Sequence, residues 1–208
     1  MMEQRTEEWF AARLGKVTAS RVADLMAKTK TGPSASRSNY MAELLCERMT
    51  GQQAERFTNA AMDWGTQTEP QARAAYEFLT DLAVMETGLV DHPTIPMFGA
   101  SPDGLVGTDG LIEIKCPNTA THIETLLAEE IPAKYLTQMR VQMMCTGRAW
   151  CDFVSFDPRL PPDLQIWIKR THADAAAQAE IESEVIKFLG ELDGKIAALT
   201  ARYMRAAE

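Results

Sequence analysis

Residues 98–117, FGASPDGLVGTDGLIEIKCP, decide how the middle of the chain folds. The segment LIEIK within them is short, rich in β-branched residues and typical of a strand. Side chains two residues apart on a β-strand point to the same face of the sheet. The pattern therefore predicts that Glu113 and Lys115 share one face, while Ile112 and Ile114 point to the opposite, buried face.

Residues 108–110, Thr-Asp-Gly, separate two strand-like pieces and predict a tight turn between them. A hairpin that folds at this turn brings Asp103 back beside Glu113. The expected result is a cluster of two carboxylates and the ammonium group of Lys115 at the edge of a sheet.

Such a cluster suits the cleavage of a phosphodiester, whose negative charge increases during attack by hydroxide. Carboxylate oxygens are suitable ligands for Mg²⁺, and Mn²⁺ can substitute for it. The metal activates a water, and a nearby lysine orients this water and adds positive charge. The spacing of Asp103, Glu113 and Lys115 also fits a plain turn followed by a solvated strand, although the flanking isoleucines argue against full exposure.

Around this hairpin, helical segments lie on both sides of a region of short strands. This order predicts one α/β domain over residues 1–208, with a mixed central sheet flanked by helices. The first helix is expected from the N-cap Thr6 to Gly15, and the second begins near Thr18 or Ser20. The remaining helices are expected at residues 38–50, at 59–79 with interruptions near Gly65 and Pro70, at 118–147 with a break at Pro132, and from about 173 onward. A β-meander from about residue 82 and strands in 149–157 and 164–171 complete the prediction.

The net charge of −8 is unfavourable for a protein that binds DNA, so the distribution of charge matters more than the sum. Residues 13–40 contain six basic residues and one acid, and could form a strip that contacts phosphates. Within it, residues 28–38 (KTKTGPSASRS) predict a flexible loop, and we expect its Lys28 and Lys30 to bind DNA. A solvated helix face followed by a loop explains the same pattern.

The remaining composition excludes several classes of protein. Four scattered cysteines favour buried free thiols over a disulfide scaffold, a zinc site or an iron–sulfur cluster. No apolar run approaches the roughly 20 residues of a membrane span. The first residues, MMEQRTEEWF, lack the apolar stretch of a signal peptide, so a cytoplasmic protein without membrane contact is expected.

Four blocks of the sequence resemble one family when they are taken in order. They are WFAARLGKVTAS (residues 9–20), WGTQTEPQARAAYE (64–77), SPDGL with GLIEIKCP (101–117) and YLTQMRVQMM (135–144). Together they resemble the lambda-exonuclease-like (YqaJ-type) viral recombinases, which belong to the PD-(D/E)XK nuclease superfamily.

The resemblance implies a role for individual residues. Asp103, Glu113 and the backbone carbonyl of Ile114 would bind the metal, with Glu69 as a further carboxylate. Lys115 would serve the nucleophile, and Gln138 would form a hydrogen bond near it. The other implied residues are Arg13, Ser20 and Ser101 in a pocket for a terminal phosphate, and Met62 as an apolar wedge between the DNA strands. An exposed helix glutamate, a buried amide and a core methionine are the plain alternatives for Glu69, Gln138 and Met62.

The resemblance also implies an activity and partners. The expected enzyme is a Mg²⁺-dependent 5′-to-3′ exonuclease that acts on double-stranded DNA ends, releases mononucleotides and leaves a 3′ overhang. A homotrimer around the DNA, a single-strand annealing protein as partner and a phage or prophage origin in a bacterial host follow from the same likeness. A structure-specific or site-specific endonuclease with the same fold remains an alternative, as does a DNA-end-binding protein without catalysis.

Overall fold

The computed structural model describes residues 3–30, 32–53 and 60–204. Its helices are α1 (Glu7–Arg13), α2 (Val22–Met26), α3 (Ala35–Thr50), α4 (Ala60–Thr80), α5 (Thr119–Ala128), α6 (Ala133–Thr146) and α7 (Ala175–Tyr203). Its strands are β1 (Val17–Thr18), β2 (Lys28–Thr29), β3 (Gly32–Pro33), β4 (Val84–Met85), β5 (Val90–Asp91), β6 (Phe98–Ala100), β7 (Gly104–Val106), β8 (Gly110–Lys115), β9 (Trp150–Phe156) and β10 (Ile166–His172).

The main sheet has five strands in the order β10-β9-β8-β7-β4. Strands β8 and β9 run parallel, whereas the other neighbouring pairs are antiparallel, so the sheet is mixed as predicted. A separate three-stranded sheet has the order β1-β6-β5. The predicted meander is therefore wrong in detail, because β5 and β6 leave the main sheet and pair with each other and with β1.

Strand β8 is covered on both faces, which explains its nearly continuous burial. Ile112 and Ile114 pack with Ala72 and Tyr76 of α4, whereas Leu111 packs with a second cluster that includes Met139 of α6. A third cluster joins α2, α3 and the small sheet to α7 through apolar residues that include Phe98 and Phe188. The alternation predicted from the sequence is confirmed, and α4 and α6 enclose the sheet between them.

The hairpin of β7 and β8 turns at residues 107–109, and Gly107 has a left-handed φ of +53° there. The Arg148 guanidinium fastens this turn, because its Nη1 donates to the carbonyls of Val106 (3.2 Å), Gly107 (3.0 Å) and Gly110 (2.7 Å). A Cβ at Gly110 would lie 2.1 Å from the Trp150 ring, so only glycine allows this close approach. The predicted hairpin is thus confirmed.

Helix ends follow the local signals at several positions. Thr6 caps α1 by accepting a hydrogen bond from the amide of Trp9, and Gly51 ends α3 with a left-handed φ of +67°. Pro132 lies between α5 and α6, as predicted. Helix α7 confirms the helix predicted from about residue 173 onward, and it buries one apolar face in the core.

Three predictions about local structure are wrong. Residues 28–38 are not an irregular loop, because β2 and β3 form a hairpin and α3 begins at Ala35, although Thr31 lies outside the described residues. Helix α4 runs without interruption through Gly65 and Pro70; residue 59, its predicted start, also lies outside that range. Neither Thr18 nor Ser20 caps a helix with its side chain, since a short 3₁₀ turn, Ala19–Arg21, precedes α2.

All four cysteines are free thiols, as predicted, but Cys46 is exposed whereas the other three are buried. Burial raises the pKa of the Cys116 thiol to about 12, and the carboxylates of Glu69 and Asp103 act in the same direction. The thiol therefore stays protonated at neutral pH.

None of the helices within the described ranges combines the length and the apolar character that a membrane span requires.

Candidate active site

Asp103, Glu113 and Lys115 meet at one end of the main sheet, as the sequence predicts. Glu113 and Lys115 occupy alternate positions of β8, and Asp103 stands in the short connection between β6 and β7. The Oδ2 atom of Asp103 accepts a hydrogen bond of 2.7 Å from the backbone amide of Ile114. The hairpin therefore fixes the first carboxylate directly against the strand that carries the second.

Glu113 is fully buried, and its carboxylate is saturated with donors. Gln138 Nε2 donates to Oε1 over 2.6 Å, Gln142 Nε2 donates to Oε2, and the Lys115 ammonium forms an ion pair with Oε1. A buried charge is tolerated only when it is paired and hydrogen-bonded. Helix α6 therefore supplies two amides that hold this carboxylate in a single orientation.

Lys115 is the cation at the centre of the cluster, and its side chain is 27% exposed. Burial alone would lower the pKa of its ammonium, but the nearby carboxylates of Glu113 and Asp103 outweigh burial and raise it. The ammonium also lies 5.1 Å from the centre of the Tyr135 ring. Lys115 is therefore a permanently charged group, suited to stabilising negative charge rather than to accepting a proton.

Asp103 has the opposite electrostatic situation. Burial of its carboxyl group, followed by repulsion from Glu113, raises its pKa well above the ordinary value of 3.8, while Lys115 opposes the shift. The repulsion between Asp103 and Glu113 favours a further cation beside them, in addition to the ammonium of Lys115. The donor set of carboxylate oxygens and a backbone carbonyl fits a hard divalent ion such as Mg²⁺.

A groove of about 680 Å³ opens in front of this cluster. Its lining comes from the N-terminal segment, α4, the end of β8 and the start of α6. The lining residues include Arg5, Met62, Thr66, Glu69, Asp103, Ile114, Lys115, Lys134, Tyr135 and Gln138. The groove thus brings together every residue that the resemblance assigned to metal binding and catalysis except Glu113, which is buried behind it.

Glu69 lies in the groove, but arginines hold its carboxylate. Arg5 Nη2 lies 2.6 Å from Oε2, and Arg73 Nη2 lies 3.2 Å from Oε1. Glu113 is similarly engaged by Lys115 and by the glutamines. In the part of the chain that the structure describes, no group of three acidic, histidine or cysteine side chains forms a ready-made metal cluster. A divalent ion would have to displace basic groups from these carboxylates.

A smaller pocket of about 150 Å³ adjoins the groove and shares Ser20, Asp103 and Gln138 with it. Arg13 and Ser101 line the pocket as well, so the three residues predicted to bind phosphate do lie together. Ser101 Oγ accepts hydrogen bonds from Arg13 Nη1 (3.1 Å) and from the indole of Trp9 (3.0 Å). The pocket is therefore polar and cationic, and it opens onto the carboxylates.

The residues predicted to contact DNA away from the cluster have different positions. Met62 is 53% exposed at the edge of the groove, so the alternative of a core methionine is wrong. Lys28 and Lys30 lie on the hairpin of β2 and β3, and neither lines the groove. Lys28 instead pairs with Glu184 of α7 over 3.0 Å.

The predicted basic strip is largely neutralised by acidic partners. Lys16 pairs with Asp91, Arg37 pairs with Glu191 of α7, and Arg21 is held by acids from α2 and α3. Glu184 and Glu191 of α7 thus form ion pairs with Lys28 and Arg37 within the chain. Arg5 and Lys134 line the groove and Arg13 lines the small pocket, so basic side chains reach both cavities.

Several site residues have signals that sequence reasoning missed, or no local signal at all. Gln142 stands four residues after Gln138, a spacing that places both amides on one face of a helix, and this signal could have identified it. Trp9 holds Ser101 through its indole, and Arg13 lies over its ring at 4.2 Å. Arg5 carries no local signal, because its contact with Glu69 spans 64 positions of the chain.

The mixed sheet, the enclosing helices and the cluster of Asp103, Glu113 and Lys115 define the class as a nuclease-type PD-(D/E)XK fold. Residues 8–149 match the model of the YqaJ-like viral recombinase domain. This match covers more than half of the chain, so the chain belongs to the YqaJ-like viral recombinase family.

Solved structures agree with this assignment. Two structures of LHK-Exo, an alkaline exonuclease from Laribacter hongkongensis, are 60% identical to the chain and cover 95% of it and 97% of their own length. Their TM-scores are 0.90, for the complex with dAMP, and 0.89. A phage-related exonuclease from Haemophilus somnus 129PT shares the fold, with a TM-score of 0.72 at 17% identity over 88% of this chain and 96% of its own. A search among curated proteins found no match. These relatives support a nuclease function.

Asp103→Asn should stabilise the protein in buffer that contains EDTA. Because the pKa of Asp103 is raised in the folded state, that state binds more protons than the unfolded chain above pH 3.8, and stability falls as pH rises through the folded pKa. Asparagine keeps an oxygen that can accept from Ile114 but carries no charge. Thermal unfolding at pH 8 should show a Tm that is higher by a few degrees than in the wild type.

The same comparison at pH 4 should show a smaller difference, because the wild-type carboxyl group is then mostly neutral. Asp109→Asn, an exposed position in the turn of the same hairpin, is the matched control and should leave the Tm unchanged. A lower Tm for Asp103→Asn at pH 8 would contradict the proposed crowding of the two carboxylates.

Proposed function

We propose that the chain is a Mg²⁺-dependent 5′-to-3′ exonuclease that digests one strand of linear double-stranded DNA to mononucleotides. The main observation in support is that Asp103 of the cluster lines both the groove and the small pocket that contains Arg13 and Ser101. A phosphodiester-cleaving cluster next to an anion pocket suits the removal of nucleotides from a phosphorylated end. The similarity to an alkaline exonuclease over nearly the whole chain supports the same conclusion.

Asp103, Glu113 and the carbonyl of Ile114 would hold the metal, and Glu69 would provide a further carboxylate. Bound Mg²⁺ supplies an activated water and neutralises charge that develops on the phosphate; Mn²⁺ offers the same chemistry. Gln138 and Gln142 keep the Glu113 carboxylate in position through their amide groups. Since these two amides are already fixed, the Glu113 carboxylate does not need to be reoriented during the reaction.

Lys115 contributes the fixed positive charge next to the scissile phosphate. Its ammonium remains protonated, because the nearby carboxylates raise its pKa, so its role is to orient the nucleophilic water and to stabilise the additional negative charge of the transition state. Gln138 lines both the groove and the small pocket, which places its amide within reach of a substrate that occupies both cavities.

The small pocket supports the proposed direction of digestion. Arg13 presents a guanidinium that can bind a terminal phosphate, and Ser20 and Ser101 add hydroxyl groups. Because this pocket shares Asp103 with the groove, a 5′-phosphate bound there would leave the first phosphodiester bond near the carboxylates. Cleavage would then release a nucleoside 5′-monophosphate, the chemical class of the dAMP in the LHK-Exo complex.

Membership of the family supports further proposals about partners and location. We propose that three copies form a ring around the DNA, and that a single-strand annealing protein receives the 3′ overhang. Enclosure would keep the chain on DNA despite its net charge of −8, because positive charge is then needed only along the DNA path. A phage or prophage gene expressed in the cytoplasm of a bacterial host suits this role. In the complex, Met62 would separate the two DNA strands, and Lys28 and Lys30 would contact the DNA outside the groove.

Asp103→Ala and Lys115→Ala should each lower Mg²⁺-dependent digestion of linear duplex by at least about a hundredfold, the scale for loss of one preorganised electrostatic group. Binding of the duplex should survive, because the remaining groove is unchanged. Asp109→Ala and Lys195→Ala, which replace exposed residues of the same types, are the matched controls. Release of end label with Mg²⁺ and with EDTA measures the effect, and full activity of both active-site variants would exclude the metal site.

A covalently closed circular DNA should remain intact when it is incubated with the wild type and Mg²⁺, whereas its linearisation would favour an endonuclease.

Arg13→Ala should impair digestion of 5′-phosphorylated duplex selectively. Loss of the guanidinium removes the charge-assisted hydrogen bonds to the terminal phosphate, which are worth about tenfold or more. Digestion of a 5′-hydroxyl duplex should hardly change, because that end has no terminal phosphate for Arg13 to bind. Rates on both substrates, with Arg202→Ala as the control, test this expectation, and an equal loss on both ends would remove the phosphate assignment.

A further inference from the structure

The N-terminal segment, residues 3–6, is fastened against the groove on both sides of Arg5. Gln4 Nε2 donates to the carbonyls of Thr87 (2.8 Å) and Pro102 (2.7 Å), and Pro102 directly precedes Asp103. Thr6 Oγ1 donates to the carbonyl of Glu3 and also caps α1. The backbone around Arg5 is therefore fixed by contacts of its neighbours.

Arg5 itself has a left-handed φ of +68°, which is uncommon for a residue other than glycine. Such a conformation persists when the surrounding contacts determine it, and it occurs often at functional sites. Here consecutive side chains contact different parts of the site. Gln4 contacts the loop that carries Asp103, whereas Arg5 reaches Glu69 on α4 and lines the groove.

The two arginines that hold Glu69 differ in exposure. The side chain of Arg73 is 16% exposed, lies one helical turn from Glu69 and also pairs with Glu86. The side chain of Arg5 is 48% exposed and lies in the groove. The Arg5 end of this ion pair is open to solvent, where such pairs contribute little to stability, so Arg5 can leave Glu69 at small cost while Arg73 still pairs with the carboxylate.

The surroundings of Arg5 provide an alternative partner when DNA is bound. Lys115, Lys134 and Tyr135 line the same groove as Arg5, so an anionic strand bound there would meet several cationic side chains. A guanidinium is well suited to a phosphate, which it can bind through two parallel hydrogen bonds. Once Glu69 is engaged by a divalent ion, a phosphate of the substrate backbone in the groove offers Arg5 an anionic partner.

We propose that Arg5 exchanges partners during the catalytic cycle: it pairs with Glu69 in the metal-free protein and binds a backbone phosphate of the DNA strand after Glu69 has bound a metal ion. This inference rests on the proposed function, since it needs both the metal and the DNA in the groove. The exchange couples the two ligands. By linkage, the metal strengthens DNA binding and DNA strengthens metal binding by the same factor.

The salt dependence of DNA binding counts phosphate contacts and therefore tests the exchange directly. Binding of a 5′-phosphorylated duplex is measured against salt concentration in a Lys115→Ala background, with and without Mg²⁺. With Mg²⁺, adding Arg5→Gln should reduce the slope of log K against log salt by about 0.7 to 0.9, the value for one phosphate contact. In EDTA the slope for Lys115→Ala alone and the slope for Lys115→Ala with Arg5→Gln should be equal, because Arg5 is then held by Glu69.

Two variants distinguish this role from a structural one. Arg73→Gln removes a partner of Glu69 that does not line the groove, so its slope should equal that of the background under both conditions. Arg5→Lys keeps the charge and should retain the slope with Mg²⁺. Equal slopes for Arg5→Gln and the background with Mg²⁺ would overturn the proposal, and so would an equal reduction with Mg²⁺ and in EDTA.

A measurement without DNA gives an independent result. In otherwise wild-type protein, Arg5→Gln should bind Mn²⁺ more tightly, by no more than about fivefold, because only an exposed ion pair is removed. Arg202→Gln, remote in sequence and exposed, should bind it as the wild type does. Unchanged or weaker binding of Mn²⁺ would overturn the exchange.

The proposed function is judged separately. A wild type that fails to digest linear duplex refutes that function. Equal salt slopes for Arg5→Gln and its background with Mg²⁺, when the wild type does digest DNA, refute only the role of Arg5.

Discussion

The burial of the Glu113 carboxylate is the constraint on which the rest of the structure depends. A full negative charge inside a sheet is tolerated only if every oxygen is satisfied. Helix α6 must therefore place Gln138 and Gln142 above β8, and Lys115 must lie beside them. These contacts fix the distance between helix and sheet. They also determine where the groove begins.

The same arrangement makes the site a local source of instability. The hairpin holds Asp103 close to Glu113, and their repulsion together with burial raises the pKa of Asp103. The basic groups of Lys115 and Arg5 offset part of this negative charge. Such a site is prepared for a divalent ion, because an ion relieves repulsion that the fold itself maintains. Stability is thereby reduced in favour of function.

Local signals in the sequence predict most of the site. Alternation along β8 and the turn after Gly107 depend on neighbouring residues, so the sequence alone is enough to place Asp103, Glu113 and Lys115 together. Tertiary contacts explain the errors. Helix α4 continues through Pro70 because it packs on the main sheet, and Lys28 and Arg37 form ion pairs with Glu184 and Glu191 of α7. The charge pattern of a sequence cannot reveal such distant acidic partners.

Binding of a divalent cation by the carboxylates of Asp103 and Glu113, with the carbonyl of Ile114, is the central proposal. Crystals soaked in Mn²⁺ test it most directly, through anomalous scattering from the metal. We expect a strong peak between these three groups, with the Lys115 ammonium moved away from Glu113. A Mn²⁺-saturated crystal without a peak there, and with the ion pair between Lys115 and Glu113 intact, would contradict it.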